Sequence, residues 1–310
     1  DEEESETEMA RTFIAWLENL GHNLVCFDKT FYWFDPQQGI YRDDFRQLRV
    51  LINDCQELPE SKRGKTRFQD DIQKQVKAIV EEDPAFGNKL IDTTYRKIPF
   101  KNGVFCVESK MLIDYNRDMF FTKRGTIDYE PQSEKLKKEV FNKMFLGVFG
   151  NKDIATYFLK VLARSLAGEA QDKYFYIVRG RPNSGKGVQT DAVFYTFQSI
   201  YGNYNSGALC AKKSNGDDAH LQGWKLGLRN CRIAIANEKP NNKISGEAMK
   251  SLVSGGDVQT ARHNHKDAVD FKLQCQFFLF CNDLPEIDKL REAEADRIRI
   301  FTTSYKYLSP

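Results

Sequence analysis

Beyond Gly168 the chain alternates short, unbroken apolar runs with longer mixed stretches: "KYFYIVRG", "CRIAIANE", "QFFLFCND" and "IRIFTT" stand apart as strand-length runs. Continuous apolar runs bounded by polar residues are what a sheet covered on both faces requires. The pattern therefore predicts a mainly parallel, helix-covered sheet. Between the first two runs, "VQTDAVFYTFQSIYG" predicts a helix with Val188, Ala192 and Tyr195 on one face, ending near Gly202. The earlier part of the chain reads differently. "ARTFIAWLENLG" has Phe13, Trp16, Leu17 and Leu20 at helical spacing with Gly21 as a stop, and "FYWFDPQQGIYRDD" reads as strand, turn and strand. Its aromatics Phe31, Tyr32, Trp33 and Phe34 fit a half-buried sheet, with base stacking as the alternative. The basic run "SKRGKTRF" reads as a surface turn, with a nucleic-acid contact as its alternative. A strand-rich patch from Lys97 to Pro131 follows, then two helical stretches, Ser133 to Phe149 and Lys152 to Ala167, each closed by a glycine, Gly150 and Gly168. The expected division is an α+β domain over 1–130, a helical connector over 131–168 and an α/β core over 169–310.

Composition narrows the class without naming a function. The 310 residues are 41% hydrophobic and 29% charged, the balance of an ordinary globular protein with a sizeable core. The longest apolar run, "FFLFC" from Phe277, is far short of the ~20 residues that span a bilayer, so no membrane partner is expected. The acidic start, "DEEESETE", resembles no targeting peptide and reads as a solvated tail or linker end. With no initiator Met, the chain reads as a segment of a longer polypeptide. Seven cysteines, an odd number without a C-x-x-C pair, predict reduced thiols in an intracellular compartment. Between Gln171 and Pro310 there are 20 Lys and Arg against 15 Asp and Glu, a positive bias compatible with nucleic acid.

The chemistry concentrates in that C-terminal part. Gly180-Arg181-Pro182-Asn183-Ser184-Gly185-Lys186 follows a predicted strand and precedes a predicted helix. This arrangement suits a phosphate cradle. Glycines let backbone N–H groups point inward, the helix N-terminus adds partial positive charge, and Lys186 can neutralise the β- and γ-phosphates, with Gly187 and Val188 completing the loop. Three fixed positions alone would be a weak match; their place between strand and helix strengthens it. Glu238 closes the run "RIAIANE", at the edge where open α/β folds bind ligands, and could orient a lytic water and hold a metal's hydration shell. Asn282 ends "FFLFCN" at the same expected edge. "GGDVQTARHNHKDAVDFK" predicts a hairpin whose tip, with Arg262, His263, His265 and Lys266, could grip a phosphate backbone; a plain exposed turn is the rival. His263 and His265 lack nearby partners in sequence, so zinc is not expected. Arg297 and Arg299 are candidates for an arginine delivered across a subunit boundary.

With these residues in order, the sequence resembles superfamily 3 helicases, and more narrowly the primase-helicases of poxviruses, other large DNA viruses and some phages. The resemblance runs through the loop Gly180 to Lys186, the strand ending at Glu238, "MKSLVSGGDVQTAR", "FLFCNDLP" and "ADRIRIF"; upstream it includes "FKNGVFCVESKMLIDYNRDMFFT" and "YFLKVLARSLAG". It implies an α/β, AAA+-like P-loop core and ATP with Mg²⁺ as cofactors. It also implies a homo-oligomeric, hexameric ring on single-stranded DNA, moving 3′ to 5′ at a viral replication site or in the host cytoplasm. A primase domain or polymerase accessory proteins would be partners. The implied roles are phosphate binding for Lys186, water and metal for Glu238, sensing for Asn282, a finger for Arg297, and DNA contact for the hairpin tip around Lys266. Two positions depart from the pattern: Gly187 lacks the hydroxyl that would ligate Mg²⁺, and Asn237 stands where many P-loop enzymes have a second acid. A water is the expected substitute for the hydroxyl, ahead of Thr190. The rival functions are a small-molecule P-loop ATPase or kinase, and a scaffold or origin-binding module that binds nucleotide without turnover.

Overall fold

The computed structural model describes residues 5–27, 30–169, 172–210, 222–262 and 268–307, the side chain of Phe45 excepted. These fall into two compact units: residues up to Thr94 with Tyr115–Thr122, and Tyr95–Asp114 with Lys123 onward.

The first unit begins with helix α1 (Glu6–Asn19), which starts inside the acidic stretch. The cause is a capping box: the Ser5 hydroxyl accepts from the Glu8 N–H while the Glu8 carboxylate accepts from the Ser5 N–H. Residues 5–8 are therefore helix entry, which corrects the reading of a solvated tail; residues 1–4 lie outside the described ones. Phe13 and Leu17 are buried as the spacing requires, whereas Leu20 is exposed past the helix end. Strands β1 (Leu24–Phe27), β2 (Thr30–Asp35) and β3 (Ile40–Arg42) form an antiparallel meander. All four aromatics of β2 are buried. Phe31 and Trp33 pack under α1, α2 (Phe45–Asp54) and α4 (Thr66–Ile79), while Tyr32 and Phe34 face Tyr41 and Phe86 of α5 (Phe86–Asp92). Buried on both faces, they have no ring surface left for a base. "SKRGKTRF" is not a turn throughout: it supplies the end of the one-turn helix α3 (Glu60–Arg63) and the start of α4.

The second unit contains the antiparallel meander β4 (Lys97–Phe100), β5 (Gly103–Cys106) and β6 (Met111–Ile113), which was expected with the leading domain. Helix α6 (Glu134–Val140) runs through a wide π-type turn, Phe141–Leu146, into α7 (Gly147–Phe149). Gly150 ends it in the left-handed conformation, φ 67°, before α8 (Lys152–Leu166) begins. Next come β7 (Phe175–Arg179), α9 (Lys186–Phe197), β8 (Tyr201–Asn203), β9 (Ile233–Ala236), β10 (Ile244–Ser245), α10 (Gly246–Leu252), the hairpin β11 (Val258–Ala261) and β12 (Val269–Lys272), then β13 (Gln276–Cys281), β14 (Ile287–Asp288) and β15 (Ile298–Thr302).

Five of these strands form one sheet in the order β15-β7-β13-β9-β8, every neighbouring pair parallel. Alternate residues feed two apolar layers. Tyr176, Val178, Phe278 and Phe280 pack on Phe158 and Leu162 of α8, while Phe175, Ile177, Phe277 and Leu279 pack on Met249 and Leu252 of α10. Cover on both faces is why β7, β9 and β13 read as nearly unbroken apolar runs. Helix α9 is turned the other way from the expectation. Gln189 and Thr190 are buried, Val193 and Phe197 lean on the core, and Val188 and Tyr195 are exposed. Its apolar residues nearly encircle it, so their spacing gives no clear inward face; the loop that delivers the helix from β7 sets its rotation. All seven cysteines are free thiols, four of them buried. No described helix is long and apolar enough to cross a membrane.

Candidate functional site

Strand order decides what meets at the sheet's C-terminal edge. β7 lies between β15 and β13, so the loop after β7 opens beside the ends of both neighbours. The Gly180 N–H continues the ladder by donating to the Cys281 carbonyl at 3.1 Å. The chain then bends through Asn183 (φ 61°) and Gly185 (φ 89°), both left-handed, before α9 starts at Lys186. Gly180 is glycine for want of space: a Cβ there would stand 1.8 Å from Thr303 Oγ1.

The Lys186 ammonium folds back into this loop. It donates to the carbonyls of Gly180 (2.6 Å) and Arg181 (3.0 Å), to Ser184 Oγ (3.2 Å) and to Asn282 Oδ1 (3.3 Å). Partial burial lowers its pKa, an effect opposed by the neighbouring Cys281 thiol. Asn282 directly follows β13, so its amide meets the loop lysine at the expected edge, a contact that the sequence pattern does not announce. Arg181, Pro182 and Asn183 are exposed at the loop's crest, as are Gly187 and Val188 at the start of α9.

Glu238 stands at the same edge, two residues beyond β9, with its side chain exposed; Ala236 is level with Leu279 of β13. Its carbonyl accepts from Ser206 Oγ at 2.6 Å, which pins the main chain where the strand ends. Thr190 is no substitute for the hydroxyl missing at 187: it is buried, and its Oγ1 donates to the Gly187 carbonyl at 2.9 Å. Among the described residues no cluster of three or more His, Cys, Asp or Glu could hold a metal by itself.

Arg297 is not brought to this edge. It precedes β15, level with the start of β7, and its Nη1 donates to the Lys250 carbonyl at 3.0 Å. Five strand residues at about 3.3 Å each separate it from the loop of its own chain. Arg299 stacks on the Tyr174 ring, 3.8 Å from its centroid. The hairpin forms as an antiparallel pair, Val258↔Lys272 to Ala261↔Val269. Arg262 follows β11, and its carbonyl lies against Gly223. His263, His265 and Lys266 lie outside the described residues.

Sequence reasoning missed the segment after β15. The Thr303 N–H donates to the Arg179 carbonyl (2.9 Å), the Ser304 N–H to Val148 (3.0 Å) and the Tyr307 N–H to Asn183 (2.7 Å). This strap ties the glycine-rich loop to the α7 region, and no local pattern announces it.

Residues 10–148 match a family described as "D5 N terminal like", and residues 178–297 match a family of unknown function, DUF5906. "Putative helicase L207/L206" of Acanthamoeba polyphaga mimivirus is 26% identical over 273 residues, covering 86% of this chain and 28% of that protein. "Putative helicase V13" of Sputnik virophage is 24% identical over 304 residues, covering 92% of this chain and 38% of that protein. The resemblance to the helicases of large DNA viruses is borne out. The chain spans well under half the length of these relatives. A solved structure titled "The A form apo structure of NrS-1 C terminal region-CTR" shares the fold, with a TM-score of 0.56 at 13% identity over 94% of this chain and 60% of that one.

Proposed function

We propose that this chain is the motor part of an ATP-dependent DNA helicase of viral replication. The observation that carries the reading is the meeting of Lys186, the glycine-rich loop and Asn282 at the C-terminal edge of a parallel sheet, with Glu238 on the same edge. A glycine-rich loop at the C-terminal edge of an open parallel sheet is a natural place for the phosphates of a nucleotide, and the relatives' helicase names favour a nucleoside triphosphate. ATP phosphates would displace the loop carbonyls from Lys186 and take the first N–H groups of α9. Glu238 would orient the attacking water. Arg297, remote from its own loop, would serve the loop of a neighbouring copy in a ring, and the β11–β12 hairpin, with Arg262 and the tip His263, His265 and Lys266, would follow single-stranded DNA.

The residues fit Mg²⁺ less directly than they fit phosphate. Ser184 Oγ is buried and engaged with Lys186, and Gly187 offers no hydroxyl, so the ion would be held through phosphate oxygens, waters and Glu238. A Cβ at Gly187 meets nothing within 4 Å. Gly187→Ser is therefore expected to fold with stability raised by roughly 0.5 kcal/mol, from helix propensity, and to lower the Mg²⁺ concentration needed for half-maximal turnover several-fold. Thermal melts and a Mg²⁺ titration of phosphate release check both.

Steady-state phosphate release with and without single-stranded DNA tests the function. Stimulation by DNA is expected, together with salt-dependent DNA binding that Lys266→Ala weakens. A nucleotide-binding module without turnover is the second reading, favoured by Gly187 and Asn237; a flat phosphate-release trace with intact ATP binding would select it.

A further inference from the structure

A cavity of about 550 Å³ opens beside the glycine-rich loop, lined among others by Met144, Val148, Gly185, Val188, Gln189 and Tyr307. That volume lies in the range of small-ligand sites, about 300–1,000 Å³. Its lining is mostly apolar, and it shares Asn183 and Gly185 with the loop. We propose that this cavity receives the base of the bound nucleotide and that the Tyr307 ring is the wall on which the base rests. The proposal rests on the nucleotide reading above and adds a binding residue to it.

Three observations carry it. The first is continuity: a phosphate chain seated on the loop ends at the first turn of α9, where exposed Val188 and buried Gln189 begin the cavity wall. The second is that Tyr307, although half exposed, is fixed at two points. Its N–H donates to the Asn183 carbonyl (2.7 Å) and its Oη to the Gly147 carbonyl (2.9 Å), which sets the ring over Gly185. A ring held in advance loses little freedom when a flat ligand covers it, so the contact contributes its full stacking term. The third is a second fixed part of the lining: Gln189 Nε2 donates to the Met144 carbonyl at 2.7 Å, which ties α9 to the π-type turn. Wide turns of this kind occur frequently at functional sites. A fixed aromatic ring bordering a mostly apolar cavity suits the flat, polarisable face of a nucleobase.

The test compares a ligand with a base, ADP, against one without, pyrophosphate, by calorimetry on the intact chain. Tyr307→Ala is expected to weaken ADP about tenfold and leave pyrophosphate within about twofold, while Tyr307→Phe keeps ADP binding within about threefold because the ring remains. Where Tyr307→Ala fails to fold, Tyr307→Leu carries the same comparison. Equal losses for ADP and pyrophosphate would mean that the strap only shapes the loop, and an unchanged ADP affinity would mean that the base lies elsewhere; either overturns the proposal. Lys186→Ala separates the two readings. If it leaves both ligands unaffected, the loop is not a phosphate site at all and this proposal falls with it. If it weakens both while Tyr307→Ala changes neither, only the role of Tyr307 falls.

Discussion

Lys186→Ala is expected to abolish ATP hydrolysis while leaving the fold in place. Lys186 folds back on the loop, held by two carbonyls, a serine hydroxyl and Asn282. There it satisfies the loop's carbonyl dipoles, and its lowered pKa records the cost of partial burial. A triphosphate brings several negative charges to the same place. Exchanging carbonyl partners for phosphate oxygens would then strengthen each charge-assisted bond. Loss of one preorganised charge of this kind lowers turnover by on the order of 10²–10³-fold or more. Removing the side chain exposes the Arg181 carbonyl to water but leaves the buried Gly180 carbonyl and Ser184 hydroxyl without this partner, so the melting temperature should fall by about a few degrees with the fold kept. Phosphate release and a thermal melt on the same preparation check the two halves. Full turnover in the variant would remove Lys186, and with it the loop, from the catalytic site.

What could be read from the sequence divides along physical lines. The buried parallel strands were legible because a strand covered on both faces must be largely apolar: β7, β9 and β13 coincide with three of the runs, and the fourth falls on the edge strand β15, where Ile300 is exposed. The glycine-rich loop was legible because backbone geometry, not side-chain chemistry, demands its residues: Gly185 is left-handed and Gly180 abuts Thr303. Asn282 followed from its place at the end of an apolar run. The rotation of α9 was not legible, since polar Gln189 and Thr190 are buried and apolar Val188 and Tyr195 exposed. The acidic start hid a helix because a capping box, a local hydrogen-bond exchange, outweighs the polarity of its residues. That Arg297 lies at the edge remote from the loop depends on β15 running parallel to β7, which strand pairing fixes and residue pattern does not. The strap residues Thr303 and Tyr307 escaped for the same reason: their bonds to Arg179 and Asn183 exist only after the sheet has formed.

The second large effect is expected at Glu238, where Gln should bind ATP as tightly as the native residue yet hydrolyse it about 10²–10⁴-fold more slowly, the usual contribution of a positioned general base. The substitution keeps size and hydrogen-bonding reach and removes only the negative charge. The main chain at 238 is fixed by the Ser206 hydroxyl, which bonds the carbonyl and leaves the side chain exposed at the edge. Any loss can then be assigned to the carboxylate and not to a shifted strand end. Asn237 sharpens the expectation, because without a second acid before it Glu238 would be the carboxylate for both the water and the hydrated metal of the proposed site. The same measurement separates a motor from a nucleotide-binding scaffold: a scaffold shows no turnover in the native chain for the variant to lose. A native chain that hydrolyses ATP and a Glu238→Gln variant that hydrolyses it equally well would move the role elsewhere on the edge. Asp283, exposed and directly after Asn282, is the carboxylate then to be tested by Asp283→Asn.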